Sequence, residues 1–149
     1  GELKLLQDQG KIRHIGISEV SVDDLVAAGE IATIVSVQNL FNLADRIAEP
    51  LLDYATNHNI AFIPWWPLAT GGLAAEGSVL DELAKRRDAS PSQLALAWLL
   101  KRSAVMLPIP GTSSVAHLEE NLHGAEVTLT EEEFEQLNNM VYPAVQRPE

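Results

Sequence analysis

The chain has 149 residues, 46% of them hydrophobic, which suits one domain with a core of its own. Ten basic against 21 acidic residues leave a formal net charge of −11, which argues against a surface built for nucleic acid or an anionic membrane. There is no cysteine, hence no disulfide framework and no thiolate metal ligand, and the four histidines (14, 58, 117, 123) show no HExxH-like spacing. The acids are scattered along helical patterns such as TEEE at residues 130–133 and read as solubility. No apolar run approaches the roughly 18 residues of a membrane span and no signal peptide opens the chain, so a cytoplasmic location is expected.

In chain order, ELKLL at residues 2–6 looks like the end of a helix. A first apolar run covers residues 12–18. Ser21 then caps a helix, with Asp24 completing a capping-box pattern. The second run, residues 34–38, leads into a loop with Asn39 and Asn42 and then a helix through Leu51, Leu52 and Tyr54. The third, residues 60–64, is followed by the longest loop, residues 65–77. Two helices come next, the second signed by Ser90 as N-cap, Pro91 at the first position and Gln93 three after the cap. A fourth run, residues 105–109, precedes another helix, and a last helix starts at Thr130 with Glu133 in the reciprocal position.

Strand alternating with helix four times predicts parallel strands joined by right-handed crossovers. A small doubly wound sheet and part of a (β/α)₈ barrel both fit. No G-x-G-x-x-G follows the first strand, and the chain opens on a helix end, which favours the barrel. Such a barrel needs about 250 residues, so this chain would be its second half, about four βα units plus a C-terminal helix. The predicted strands end in polar or ring-bearing residues (Ser18, Gln38, Trp65, and Gly111 onward), at the edge where both folds place ligands.

PGTSSVAHLEEN, residues 110–121, empties an apolar run into small hydroxyl residues. Ser113 or Ser114 begins a helix, whose free N–H groups and positive dipole end favour an anion. Thr112, Ser113 and Ser114 add hydroxyls, Gly111 lets the backbone turn, and His117, Glu120 and Asn121 share one helix face. Ser114 as a plain helix cap is the alternative, and both readings can hold together.

Five segments resemble the aldo-keto reductases, in that family's order and spacing: GKIRHIGIS at residues 10–18, VQN at 37–39, PWWPL at 64–68, QLALAWLL at 93–100 and PIPGT at 108–112. The resemblance runs from about residue 3 to about residue 138. It implies the fifth to eighth strands of the barrel and most of a nicotinamide-cofactor site. The family's catalytic Asp, Tyr, Lys and His lie on earlier strands, so the resemblance implies no catalytic residue here. Tyr54 reads as core or partly buried surface, Tyr142 sits in the C-terminal tail, and Lys85 and Lys101 face water from helices.

The resemblance implies that Ser18 and Gln38 hold the nicotinamide amide, the alternative being ordinary strand-end polarity. Many family members carry Asn after this serine, whereas here it is Glu19, which cannot donate to the carboxamide oxygen. Trp65 aligns with the aromatic that stacks on the nicotinamide ring, a contact that suits a partly cationic ring; a core Trp is the alternative. Pro67, Leu68 and Gly71, in the loop PLATGG, are placed by the family near the pyrophosphate. Ile109, Gly111, Thr112, Ser113 and Ser114 are placed around the adenosine 2′-phosphate, with His117 on the same helix and Glu120 and Asn121 meeting adenine. Many relatives have Lys in place of Gly111 and Arg in place of His117. Losing both charges predicts weaker phosphate selectivity, so NADPH is the expected cofactor with NAD left open.

The expected parent function is NADPH-dependent reduction of an aldehyde or ketone, with this chain inactive alone. A nicotinamide-binding sensor module and an inert fragment are the alternatives. Trp98 is expected in the core, His14 inside the barrel or satisfied in the core, and His58 and His123 at the surface. Trp66 and residues 73–78 are the segments expected to line a substrate pocket. Four strands without the other half would leave two edges and an apolar inner face, including Ile15, Ile17 and Val35 or Ser36. That predicts self-association, pairing with the missing half, or a loosely packed state.

Overall fold

The computed structural model describes residues 1–69, 73, 76–140 and 142. Helix α1 (Glu2–Asp8) precedes the strands. Three parallel strands follow: β1 (Ile15–Ser18), β2 (Ile34–Leu40) and β3 (Ala61–Trp65), paired in that order. Helix α2 (Val22–Gly29) connects β1 to β2, and α3 (Glu49–Asn57) connects β2 to β3. Beyond β3 come α4 (Val79–Arg87), α5 (Pro91–Arg102), α6 (Val115–His123), a short 3₁₀ turn (Gly124–Glu126) and α7 (Glu131–Asn138).

The helix starts are where the capping residues place them. Ser21, Ser90 and Thr130 each accept from the backbone N–H three residues on. The side chains of Asp24, Gln93 and Glu133 accept in return from the N–H of the cap. Each box satisfies two donors that a helix end otherwise leaves unpaired. The Asp24 carboxyl is held below its ordinary range by its hydrogen bonds to the Ser21 hydroxyl and N–H.

The fourth apolar run does not become a strand. It touches β3 only at Met106, opposite Phe62: Phe62 N–H donates to the Val105 carbonyl, and Leu107 N–H to the Phe62 carbonyl, both at 2.8 Å. The next rung of a parallel ladder would need an N–H at residue 64, and Pro64 has none. Pro108 removes another donor on the opposite side.

Register decides which residues meet the helices. Ile17 lies opposite Val37, which lies opposite Phe62, and the last two are wholly buried. One extra residue in β2, between the partners of Ile15 and Gly16, puts Ile34 rather than Val35 on the face of Val37, so Ile34 is buried and Val35 exposed. The other face carries Gly16, Ser18, Ser36, Gln38, Ala61 and Ile63. Ile15 and Ile17 therefore pack under the helices, contrary to expectation. The open face is mostly small and polar where an apolar one was expected. His14, expected inside, is exposed just ahead of β1. His58 and His123 are exposed as expected.

The core centres on α5, which buries Leu94, Ala95, Leu96, Ala97, Trp98 and Leu99. The Trp98 ring stacks between Phe41 and Phe134, with centroids 5.8 and 6.1 Å away, and the Arg46 guanidinium lies 4.6 Å from its centroid. Arg46 also donates to the carbonyls of Leu43, Leu137 and Asn138, which ties the loop after β2 to the end of α7.

Candidate functional site

Parallel pairing finishes all three strands at one end of the sheet, with Ser18 opposite Gln38 and Leu40 opposite Trp65. Ser18 is exposed there, and its hydroxyl donates to the Gln38 carbonyl at 2.9 Å, leaving its lone pairs to accept from a ligand. The half-buried Gln38 side-chain amide has no hydrogen-bond partner among the described residues.

Trp65 is half-buried at the rim, and its indole N–H donates to Glu19 Oε1 at 2.5 Å. The same carboxylate oxygen accepts from Leu40 N–H at 3.0 Å, and the Glu19 N–H donates to the Gln38 carbonyl at 2.9 Å. Glu19 has φ +52°, so the chain turns sharply out of β1 and aims this side chain along the strand ends. The ends of β1, β2 and β3 are thus tied through one residue.

Two asparagines brace the same rim. The Asn39 side chain accepts from Val20 N–H and donates to the Val20 carbonyl, imitating a strand pairing. Asn39 belongs to β2 and not to the loop expected there. Asn42 is fully buried; its oxygen accepts from the N–H groups of Ala44 and Asp45, and its amide donates to the Trp66 carbonyl at 3.1 Å. Trp66 and Ala69 both adopt positive φ, which folds the turn after Trp65 tightly. Pro67 is buried in that turn and Leu68 half-buried against the core. Their backbone, more than their side chains, is what this turn offers a ligand. Gly71 lies outside the described residues, as do some of residues 73–78.

After Met106 the chain runs on beside β3 and leaves the sheet at the same end. Ile109, Gly111, Thr112 and Ser113 are exposed. Ser114 caps α6, accepting from His117 N–H at 3.4 Å, while Thr112 Oγ1 accepts from Ser114 N–H at 3.1 Å. His117 is exposed, Glu120 and Asn121 half-buried. Gln93 reaches from the start of α5 to the Glu120 carbonyl at 3.2 Å, fixing α6 against the core. No Lys or Arg occurs between residues 103 and 146, so an anion here would be held by N–H groups, hydroxyls and the helix dipole.

Neither tyrosine is placed for chemistry at this rim. Tyr54 lines a cleft with Thr33, Ile34 and Ile60, at the opposite end of the strands, and its ring stacks 3.9 Å from that of His58. Tyr142 donates to the Leu137 carbonyl at 3.4 Å, and burial pushes its pKa up to about 12. Lys85 pairs with Asp81, and Lys101, half-buried, bonds the Leu129 carbonyl and Glu131. Among the described residues no cluster of three His, Asp or Glu is placed to hold a metal ion. No helix of theirs is long and apolar enough to cross a membrane.

Parallel βα units with polar groups gathered at the strand C-termini define an α/β protein, a class that places its ligands at that edge. The sequence model of the aldo/keto reductase family matches residues 1–141, and the chain belongs to that family. It is 53% identical to an uncharacterized oxidoreductase of Schizosaccharomyces pombe, over 92% of this chain and 45% of that protein. It is 42% identical to the pyridoxine 4-dehydrogenase of Escherichia coli, over 91% of this chain and 47% of that protein. Among solved structures, an aldo/keto reductase from Klebsiella pneumoniae in complex with NADP and acetate superposes with a TM-score of 0.83 at 30% identity. That match covers 98% of this chain and 54% of the other. The sheet is therefore part of a (β/α)₈ barrel, and the chain spans about half the length of the curated relatives it matches.

Glu19, Asn39, Asn42 and Gln93 are the rim's supports that site reasoning from sequence did not assign. Glu19 had a signal, a carboxylate where many relatives carry an amide. The other three are ordinary polar residues until the chain is folded.

Proposed function

We propose that this chain is the C-terminal, cofactor-holding half of an NADP(H)-dependent reductase of aldehydes or ketones. The observation that carries the reading is the gathering of Ser18, the Gln38 amide and the Trp65 indole, fixed through its N–H, at one end of three adjacent parallel strands. Gln38 and the lone pairs of Ser18 would hold the carboxamide, Trp65 would cover one face of the ring, and the start of α6 would take the phosphate. These groups fit a nicotinamide dinucleotide, which when bound supplies hydride to a carbonyl carbon. The residues described here bind and orient; the proton for the carbonyl oxygen would come from a tyrosine of the other half. With no Lys or Arg between residues 103 and 146, NADH would compete better than in relatives carrying Lys and Arg there. The substrate class is a carbonyl-containing small molecule.

The test is NADPH oxidation with a panel of aldehydes and ketones. The full-length protein should turn over, and residues 1–149 alone should not exceed a heat-killed control. NADPH should quench tryptophan fluorescence in the full-length protein, and Trp65→Phe should remove most of that quench. An unchanged quench would move the stacking role to Trp66. Quench without turnover in the full-length protein would replace a reductase with a cofactor-sensing module.

A further inference from the structure

Glu19 brings a negative charge to the rim that the sheet does not require. Its Oε1 accepts from Leu40 N–H and from the Trp65 indole N–H, and a neutral amide oxygen would satisfy both donors. Among the described residues no ion pair includes it, so no cation neutralises the charge. The carboxylate is directed at the indole edge and leaves the indole faces free. A carboxylate bonded to the indole N–H makes the ring more electron-rich, which strengthens its attraction for a cation on its face. The charge itself stands about one indole away from anything stacked there.

We propose that Glu19 is a positioning residue that acts through Trp65 to favour the oxidised, cationic nicotinamide ring over the reduced, neutral one. The proposal rests on the reading of Trp65 as the platform for that ring. The sign follows from charge. Oxidised nicotinamide carries a positive charge and is attracted, whereas the reduced ring is neutral and gains little. A site that holds the oxidised form more tightly makes the bound reduced form a stronger hydride donor, by the linkage between binding and conversion. The left-handed turn at Glu19 and its backbone bond to Gln38 keep the carboxylate in place whichever form is bound.

The experiment measures dissociation constants for NADP⁺ and NADPH separately, by titration calorimetry on the full-length protein. Glu19→Gln keeps the acceptor oxygen and removes the charge. The ratio Kd(NADP⁺)/Kd(NADPH) should rise about two- to fivefold, the size expected of a weakened cation–π attraction. Trp65→Phe alone should raise the ratio too, and adding Glu19→Gln to it should change the ratio by less than about twofold, because the two act in series. Should Glu19→Gln not fold, Glu19→Asn, the amide that many relatives carry there, is measured in its place, and an unchanged ratio overturns the proposal likewise. An unchanged ratio in a folded Glu19→Gln protein that binds both forms overturns this proposal and leaves the cofactor reading standing. Failure of the native protein to bind either form overturns both.

Discussion

A Cβ at Gly16 would stand 2.3 Å from the Ser36 hydroxyl oxygen and 3.2 Å from its carbonyl oxygen. The hydroxyl can rotate away, but the carbonyl is part of the β1–β2 ladder and cannot. Gly16→Ala should therefore cost about 1–2 kcal/mol of stability through local overpacking. Ser36→Gly in the same protein should return part of that cost. Urea unfolding of the native protein and the two variants checks it; an undiminished stability in Gly16→Ala would show that hydroxyl rotation alone makes the room. The same scale holds Asn42, whose buried side chain makes three hydrogen bonds in one turn and so holds the backbone at Trp66. Trp98 is the contrasting case, since its buried indole nitrogen has no partner among the described residues. It is kept for ring area, stacked with Phe41, Phe134 and Arg46.

Between elements, Gln93 does two jobs with two atoms. Its Oε1 accepts from Ser90 N–H and closes the capping box of α5, while Nε2 donates to the Glu120 carbonyl and tethers α6. Gly124 lets the two helices approach, because a Cβ there would lie 3.2–3.3 Å from Leu96 and Gln93 atoms. Glutamate keeps the capping oxygen and loses the donor. Gln93→Glu should then cost only about 0.5–1.5 kcal/mol, the worth of one hydrogen bond. It should weaken NADPH binding in the full-length protein several-fold, by loosening the helix that carries Glu120 and Asn121. Unfolding curves and NADPH titration on one preparation separate the two effects. Equal NADPH affinity would mean that α6 is held by packing alone.

Across the molecule, apolar surface is left open where the sheet ends. Among the described residues the outer edge of β1 is unpaired, and a groove of about 350 Å³ between α1, α2 and β1 is lined by Leu3, Ile15, Ile17, Ile31 and Ile34. On α6, Val115, Leu118 and Leu122 are exposed at helical spacing. An open edge and apolar area of this kind commonly find another chain. Residues 1–149 alone should sediment as more than a monomer or unfold without a sharp transition. The charge of −11 opposes association only modestly, because salt screens exposed charges beyond about 8 Å. A monodisperse, cooperatively unfolding monomer would show that these units suffice by themselves. The small polar groups on the open sheet face make that face a poorer driver of association than the β1 edge.

Some of this was legible in the residues because it depends only on neighbours along the chain. Ser21, Ser90 and Thr130 cap where their spacing to Asp24, Gln93 and Glu133 says, since a capping box closes within three residues. The order of strands and helices, the core role of Trp98 and the gathering of Ser18, Gln38 and Trp65 at one edge were also readable, from apolar periodicity and from parallel connection. What required the folded chain was pairing across it. One inserted residue in β2 put Ile34 rather than Val35 on the face of Val37, because a strand's faces alternate with period two and a single extra residue reverses them; Ile15 and Ile17 lie on that face through their pairing with Ile34 and Val37. The fourth run stopped at Met106 because its neighbour turned out to present Pro64, a residue without a donor. Glu19, Asn39 and Gln93 meet partners 19 to 46 residues away, at distances set only once the strand ends stand side by side.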